Sequence, residues 1–373
     1  MADRSITHFS VGNGNCCLVQ LEASNLAFDL KGTAYKSSWD LLSPFLRVEG
    51  GVRFLDVLSI SHGDQDHCQG FTEWKEELDA QRLVIGTIWH PNFDRTKIED
   101  ESDLPADYLA LHEEIVRRRQ VRNPEYGDLE VPLTAWDTEL QAFKGLTVPY
   151  QFCLKVLSPY FKDDETGEFD INDLSLVMNI EISGLSTLFN GDSGCRIWQD
   201  RIFPFTLRHP EREDWARAAI SVASHHGSYT FFGENRDEVC DADPYPENYE
   251  ALNYTHFESL IISASDRFPT TRDSSGDSPP HYAAWKWYHN WVQDNRNVDP
   301  VDKHPDRFRY TADGPIRLEF DGDWHWIEDW SPDDGGPGGR GDSSGPGGED
   351  VDKATVGFVH RRGKTKRGPG HYA

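Results

Sequence analysis

The chain has 373 residues and a formal net charge of −27, with 37% hydrophobic and 12% aromatic residues. That much apolar material supports one large α/β domain or two modest ones and excludes an intrinsically disordered chain. The acidic balance excludes broad electrostatic clamping of duplex DNA by the body of the protein, although a cleft carrying metal cations would still handle a phosphate locally.

The N-terminus has no apolar segment of signal-peptide length, and no run approaches the roughly 18 apolar residues of a membrane span. A cytoplasmic protein without a membrane partner is therefore expected. Cysteines 16, 17, 68, 153, 195 and 240 show no C-x-x-C spacing, which reads as mostly reduced core residues rather than a disulfide framework.

"THFSVG" and "CCLVQLEA" flank Asn13-Gly14 as a predicted hairpin, and "LAFDLKG" supplies a third short strand. "FLDVLSI" reads as a buried strand, "FTEWKEELDAQ" as a helix, and "RLVIGTIWHP" as a strand ended by Pro91. Residues 94–145 read as a charged insertion, a candidate lid, with a helical piece whose Tyr108, Leu111 and Ile115 share one face. Its run Arg117-Arg118-Arg119 reads as a solvated helix face.

"FCLKVLSP" is a predicted strand, and "LSLVMNIEISGLSTLFNGD" a hairpin turning at Ser183-Gly184. "AISVASHHGS" and "SLIISAS" are strands leading into polar loops, and "SPPHYAAWKWYHNWVQ" starts a helix whose Ala284, Tyr288 and Trp291 face a core. "GPIRLEFDGDWHWIEDW" reads as a last hairpin. An ordered domain is thus expected over 1–330. Residues 331–373 form a Gly/Pro-rich disordered linker and a basic tail, which reads as a solubilising segment or as a tether to an acidic protein or nucleic-acid partner.

Chemistry concentrates at strand ends. "SHGDQDH" carries His62, Asp64, Asp66 and His67 straight after an apolar strand. "LFNGDSG" carries Asp192, "SHHGS" carries His225 and His226, and "SPPHY" carries His281. A sandwich of sheets flanked by helices would gather such ends at one edge. Carboxylates mixed with imidazoles suit a pair of divalent ions, each with about three ligands and one shared bridge. His62, Asp64 and Asp66, at alternating positions, can be aimed into one cavity while His67 turns to a second ion. His90 reads as a loop histidine held by Pro91.

"SHGDQDH" followed by "NGD", "SHHGS" and a late histidine resembles the metallo-β-lactamase superfamily, whose first motif is usually H-x-H-x-D-H. Here that motif reads H-x-D-x-D-H. With "FSVGNGNCCLV", "INDLSLVMNI" and "HHGS", it resembles the metallo-hydrolase domain of the ComEC family of DNA-uptake proteins, over roughly residues 7–290 and without that family's membrane helices. The resemblance implies an α/β fold, a four-layer αββα sandwich. It further implies one ion held by His62, Asp64 and a group from Asn172, Asp173 or Ser175, and a second held by Asp66, His67 and a late histidine, with Asp192 bridging. His225 is favoured as a ligand, with His226 supporting it or meeting the substrate phosphate, and His281 is a further candidate. Asp29 matches the carboxylate that supports a ligating histidine in the family. The implied cofactors are two divalent ions, Mn²⁺ or Zn²⁺ with Mg²⁺ also allowed, because Asp64 replaces an imidazole by a harder oxygen donor.

The expected function is a phosphodiesterase or nuclease acting on nucleic acid or nucleotides, with Asp66 and His226 as catalytic groups and a metal-bound hydroxide as nucleophile. Two alternatives stand beside it: hydrolysis of a lactone, β-lactam or thioester, and a partner-regulated scaffold within a multiprotein system.

Overall fold

Short, alternating apolar runs separated by glycine- and asparagine-rich turns fold as two packed sheets. The structure, a computed structural model, describes residues 4–95, 104–133, 152–159, 170–272, 276–294, 307–327 and 330–331. Among these, the first sheet contains β1 (Arg4–His8), β2 (Cys17–Gln20), β3 (Asn25–Phe28), β4 (Arg47–Glu49), β5 (Val52–Ser59), β6 (Leu83–His90) and β7 (Leu129–Pro132). The second contains β8 (Phe152–Ser158), β9 (Val177–Ile182), β10 (Leu185–Phe189), β11 (Ile220–Val222), β12 (Ser259–Ile262) and β13 (Phe308–Tyr310). The chain then returns to the first sheet with the hairpin β14 (Ile316–Phe320) and β15 (Trp324–Ile327). The orders are β15-β14-β1-β2-β3-β5-β6-β7, with β4 on β5, and β13-β12-β11-β10-β9-β8.

Each sheet has an antiparallel half and a parallel half. In the first, β3, β5, β6 and β7 run parallel. In the second, β10, β11, β12 and β13 do. Parallel strands of one sheet end on the same edge, so the segments after β11 and β12 emerge together, and the segment after β5 in the other sheet meets them where Asp66 lies 3.2 Å from His226.

The alternation of side chains sorts three cores. Cys17, Val19, Leu26 and Phe28 meet Met178, Ile180, Ile182 and Ile261 between the sheets. Leu18 and Ala27 face outward onto Phe71, Trp74, Leu111 and Ile115. These come from α2 (Phe71–Asp79) and α3 (Ala106–Arg119), which follow the four-residue turn α1 (Gln65–Cys68). On the far side, Leu260 and Ile262 face Ala284, Trp287, Tyr288 and Trp291 of α4 (Tyr282–Asp294). The architecture is therefore helix–sheet–sheet–helix, the four-layer αββα sandwich that the resemblance implies.

Two local readings change. Arg118 is only 2% exposed and does not lie on a solvated face. Its guanidinium donates to Glu114 and to the carbonyls of Ile85 and Leu129, joining α3 to β6 and β7. The segment between β1 and β2 is a loop of eight residues rather than a tight hairpin turn, because it is drawn across to the second sheet. The described part of the 94–145 segment adds α3 to the helical layer, with the Tyr108 ring against Gly63, and β7 to the end of the first sheet. Five of the six cysteines are buried, and Cys153 is exposed. Apart from Ser331, the linker and basic tail lie outside the described residues. No described helix is long and apolar enough to cross a membrane.

Candidate metal centre

β5 delivers the first group of side chains. Its last residue, Ser59, leads through Ile60 to Ser61 and His62, and Asp64 then takes the N-cap position of α1. Aspartate is a favoured capping residue, yet this carboxylate makes no capping bond. It lies 3.5 Å from His62 Nε2. α1 carries Asp66 and His67 inward.

Asp192, at the end of the β9–β10 hairpin, stands between two sets of side chains. Its Oδ1 lies 3.1 Å from His67 Nε2 and 3.7 Å from His226 Nε2. Its Oδ2 lies 3.6 Å from both His62 Nε2 and His225 Nε2. Asp66 closes the first set, 3.2 Å from His226 Nε2 and 3.9 Å from His67 Nε2. One donor atom from each of Asp66, His67, Asp192 and His226 lies within 4.8 Å of all the others. Donors bound at about 2.1 Å in tetrahedral array lie about 3.4 Å apart, so these spacings suit a shared ion.

All four imidazoles are oriented alike. His67 Nδ1–H donates to Asp29 Oδ2 at 2.8 Å, and His226 Nδ1–H to the Ser263 carbonyl at 2.9 Å. His62 Nδ1 lies 3.0 Å from Ser61 Oγ, and His225 Nδ1 lies 3.1 Å from Thr230 Oγ1. Each Nε2 is left for the cluster. Those of His62, His67 and His226, with Asp192 Oδ1, are buried without a hydrogen-bond partner. Orphaned buried polar atoms are costly, and a bound cation would satisfy four that face one another. The residues fit a divalent ion.

Asp29 holds this arrangement from behind. It accepts Ser61 N–H at 2.6 Å, Ser61 Oγ–H at 2.9 Å and His67 Nδ1–H. Carboxylates that fix a ligating imidazole in this way set its tautomer and orientation.

The charges reinforce the grouping. Burial pushes the His67 pKa down, but the carboxylates of Asp192 and Asp29 overturn that and hold it well above the ordinary 6.5. Burial pushes Asp192 up, and His67, His226 and His62 bring it well below the usual carboxylate range. Burial likewise raises Asp66, and the closeness of His226 Nε2 with the charge of His67 reverses this, so Asp66 stays ionised. His225 is lowered, chiefly by burial.

Six of the seven residues expected to bind metal are thus brought together. Asp66 groups with His67 and His226, not with His62 and Asp64 as their alternating spacing suggests. His226, expected to support its neighbour or meet the substrate, lies inside the tighter cluster, while His225 flanks the other oxygen of Asp192. His281 is not brought there. Its Nδ1 accepts from Tyr229 N–H at 3.4 Å and its Nε2–H donates to the Asp277 carbonyl at 3.1 Å, so main-chain groups occupy both nitrogens. Asp173 sits near Arg196 and Arg201, with its pKa raised by burial. Ser175 Oγ accepts Asp192 N–H at 3.2 Å. His90 is held by the Pro91 carbonyl and, through Nε2, by Glu130 at 2.7 Å.

Ser61, Ser263 and Thr230 are additions that the sequence reading missed. Ser61 adjoins His62, a signal that was present. Ser263 and Thr230 act only through tertiary contact.

No family model matches the chain, and no curated protein does. Among solved structures it is similar to Tm1679, a metal-dependent hydrolase of the beta-lactamase superfamily, at 12% identity, covering 85% of this chain and 99% of that one, TM-score 0.44. It is similar to Zn²⁺-bound PqqB from Methylobacterium extorquens at 9% identity, covering 85% and 100%, TM-score 0.45. Igni18, a metallo hydrolase from the archaeon Ignicoccus hospitalis, is 11% identical, covering 85% and 99%, TM-score 0.41.

Proposed function

We propose that the protein is a metal-dependent hydrolase of the metallo-β-lactamase superfamily, and that it cleaves phosphodiester bonds in nucleic acid or nucleotides. The observation that carries the reading is the ring of imidazole Nε2 atoms around the two oxygens of Asp192, three of them buried without a partner. Asp66, His67, His226 and Asp192 Oδ1 would hold one divalent ion, and His62, Asp64, His225 and Asp192 Oδ2 the other. When bound, such ions supply Lewis-acid polarisation of a phosphoryl oxygen and activation of water.

The chain's own residues set the preference for substrate. Asp64, Asp66 and Asp192 bring three negative charges to two doubly positive ions, so a filled centre carries net positive charge. That favours an anionic diester over a neutral lactone or β-lactam. The Asp64 oxygen in place of an imidazole favours Mn²⁺ or Mg²⁺ alongside Zn²⁺. Asp66, with its side chain 31% exposed, would orient the attacking water. His225, with its side chain 28% exposed against 2% for His226, would put its ion on the open side of the centre, where a substrate oxygen can approach. The acidic body favours single strands, short oligonucleotides or nucleotides over long duplex. The resemblance of the motif order to that of the ComEC family supports nucleic-acid chemistry.

The test is an assay of the purified chain with Mn²⁺, Mg²⁺ and Zn²⁺ against bis(p-nitrophenyl) phosphate, single- and double-stranded DNA, RNA, nitrocefin and a lactone. Asp66→Ala and Asp192→Ala run beside it. Metal-dependent diester cleavage that both variants lose is expected. Hydrolysis of nitrocefin or lactone alone would overturn the phosphodiester assignment. A wild-type chain that binds no metal after reconstitution would overturn the hydrolase reading altogether.

A further inference from the structure

We propose that the loop Asn13–Asn15 is a clamp that sets the distance between Asp66 and His226, with Asn13 as its positioning residue. The proposal rests on the metal-centre reading and adds to it what holds the two halves in register. Asp66 belongs to the turn after β5 in the first sheet, and His226 to the turn after β11 in the second. Their side chains meet at 3.2 Å, so a small relative shift of the two turns would separate two ligands of one ion.

The loop between β1 and β2 bonds to both sides. Asn15 N–H donates to the Asp66 carbonyl at 3.3 Å. Ser263 Oγ–H donates to the Gly14 carbonyl at 2.7 Å, and the Ser263 carbonyl accepts His226 Nδ1–H. A continuous path therefore runs from Asp66 through Asn15, Gly14 and Ser263 to the His226 ring. Gly14 makes the close approach possible. It has φ +142, and a Cβ there would stand 2.7 Å from the Asp66 carbonyl oxygen.

Asn13 fastens this path to the second sheet. Its Oδ1 accepts Ser265 N–H at 2.9 Å and Ser265 Oγ–H at 3.1 Å, and its Nδ2–H donates to the Pro279 carbonyl at 3.0 Å. Both partners lie more than 250 residues away in sequence. A planar amide satisfies both sides at once, because it carries an acceptor and donors on opposite atoms. An aspartate would keep the bonds from Ser265 and lose the one to Pro279.

The test uses the full metal-stripped chain as wild type, Asn13→Ala, Asn13→Asp and Ser263→Ala, titrated with Co²⁺ and followed by its visible absorption and by calorimetry. Loss of groups that orient ligands costs roughly 10–100-fold in metal affinity. Asn13→Ala is expected to lose that much for one equivalent of Co²⁺, with a changed band shape at saturation. Its metal-free form should still unfold in one transition. Asn13→Asp should fall between it and wild type. Ser263→Ala should weaken the same equivalent, and Asn13→Ala/Ser263→Ala should lose less than the two single losses combined.

Wild-type affinity and spectrum in Asn13→Ala would overturn the clamp while leaving the metal centre standing. If Asn13→Ala fails to fold, wild-type behaviour in both Asn13→Asp and Ser263→Ala would overturn it instead. A wild-type chain that binds no Co²⁺ would overturn the metal-centre reading and the clamp together.

Discussion

Asp29→Asn is the sharpest probe of how the centre is preset. Asp29 has left-handed backbone, φ 56, a conformation asparagine tolerates as well as aspartate, so the substitution keeps shape and fold. Asp29 Oδ1 accepts Ser61 N–H at 2.6 Å, and an asparagine must keep its oxygen there. Its NH₂ then replaces Oδ2 and faces His67 Nδ1 and Ser61 Oγ. Repulsion between that NH₂ and Nδ1–H favours the tautomer in which Nδ1 accepts over one in which it donates to Ser61 Oγ at 2.9 Å, and this moves the ring proton to Nε2, the atom 3.1 Å from Asp192 Oδ1. The lone pair that a metal needs is lost. An affinity loss of about 10–100-fold corresponds to roughly 1.4–2.7 kcal/mol. Competition with a coloured chelator measures it, and the ¹⁵N shifts of the His67 ring, read at a pH above its raised pKa, report the tautomer directly. Undiminished affinity with the Nδ1–H tautomer retained would refute the argument that Asp29 selects it.

Three further outcomes follow from the same geometry. The raised His67 pKa gives the metal-free protein stability that is complete below the ordinary imidazole value of 6.5 and is lost as pH rises through the folded value. The depressed Asp192 pKa gives stability present above 3.8 and lost as pH falls. Urea unfolding of the metal-free chain should therefore show a maximum between those values, and Co²⁺ affinity should climb above pH 6.5 as the ion displaces the His67 proton; stability rising from there into the alkaline range would contradict the pairing. His281→Phe should leave metal stoichiometry unchanged by elemental analysis, whereas His226→Ala should lose an equivalent. Gly63→Ala would put a Cβ 2.4 Å from the Tyr108 ring, and overpacking of this kind costs about 1–3 kcal/mol; thermal melting should show the drop, and Gly63→Ala/Tyr108→Ala should recover part of it.

Much of the sandwich was legible because period-two apolar runs and glycine turns are local signals. The strand "FLDVLSI", the hairpin at Ser183-Gly184 and the aromatic face of α4 all follow from neighbours a few residues apart. The ligand groups were legible for a related reason, since histidine and aspartate directly after a buried strand have few structural uses. The remainder depended on contacts that no spacing encodes. Arg118 looks like its exposed neighbours until the carbonyls of Ile85 and Leu129 are seen to converge on it. Asn13 looks like a turn residue until Ser265 and Pro279 arrive from the other sheet. The ranking of His225 and His226 depended on the direction of one turn.

That turn explains why local reading stops at the centre. His225 and His226 have φ of 46 and 54, and Gly227 has φ of 83, three successive left-handed residues. A left-handed conformation costs an ordinary side chain roughly 1–2 kcal/mol, and Asp29 shares it. Such strain persists where surrounding bonds over-determine it. Here His225 N–H is held by the Gly191 carbonyl at 3.0 Å, Ser228 N–H by the His225 carbonyl at 2.8 Å, and the His226 ring by Ser263. A regular turn would send the adjacent histidines to solvent. The left-handed run lets both approach Asp192, one toward each oxygen. Local backbone preference is thus overridden where two imidazoles must converge on one carboxylate. The strain and the orphaned nitrogens have the same consequence: the metal-free centre is held in a conformation that a bound cation would stabilise.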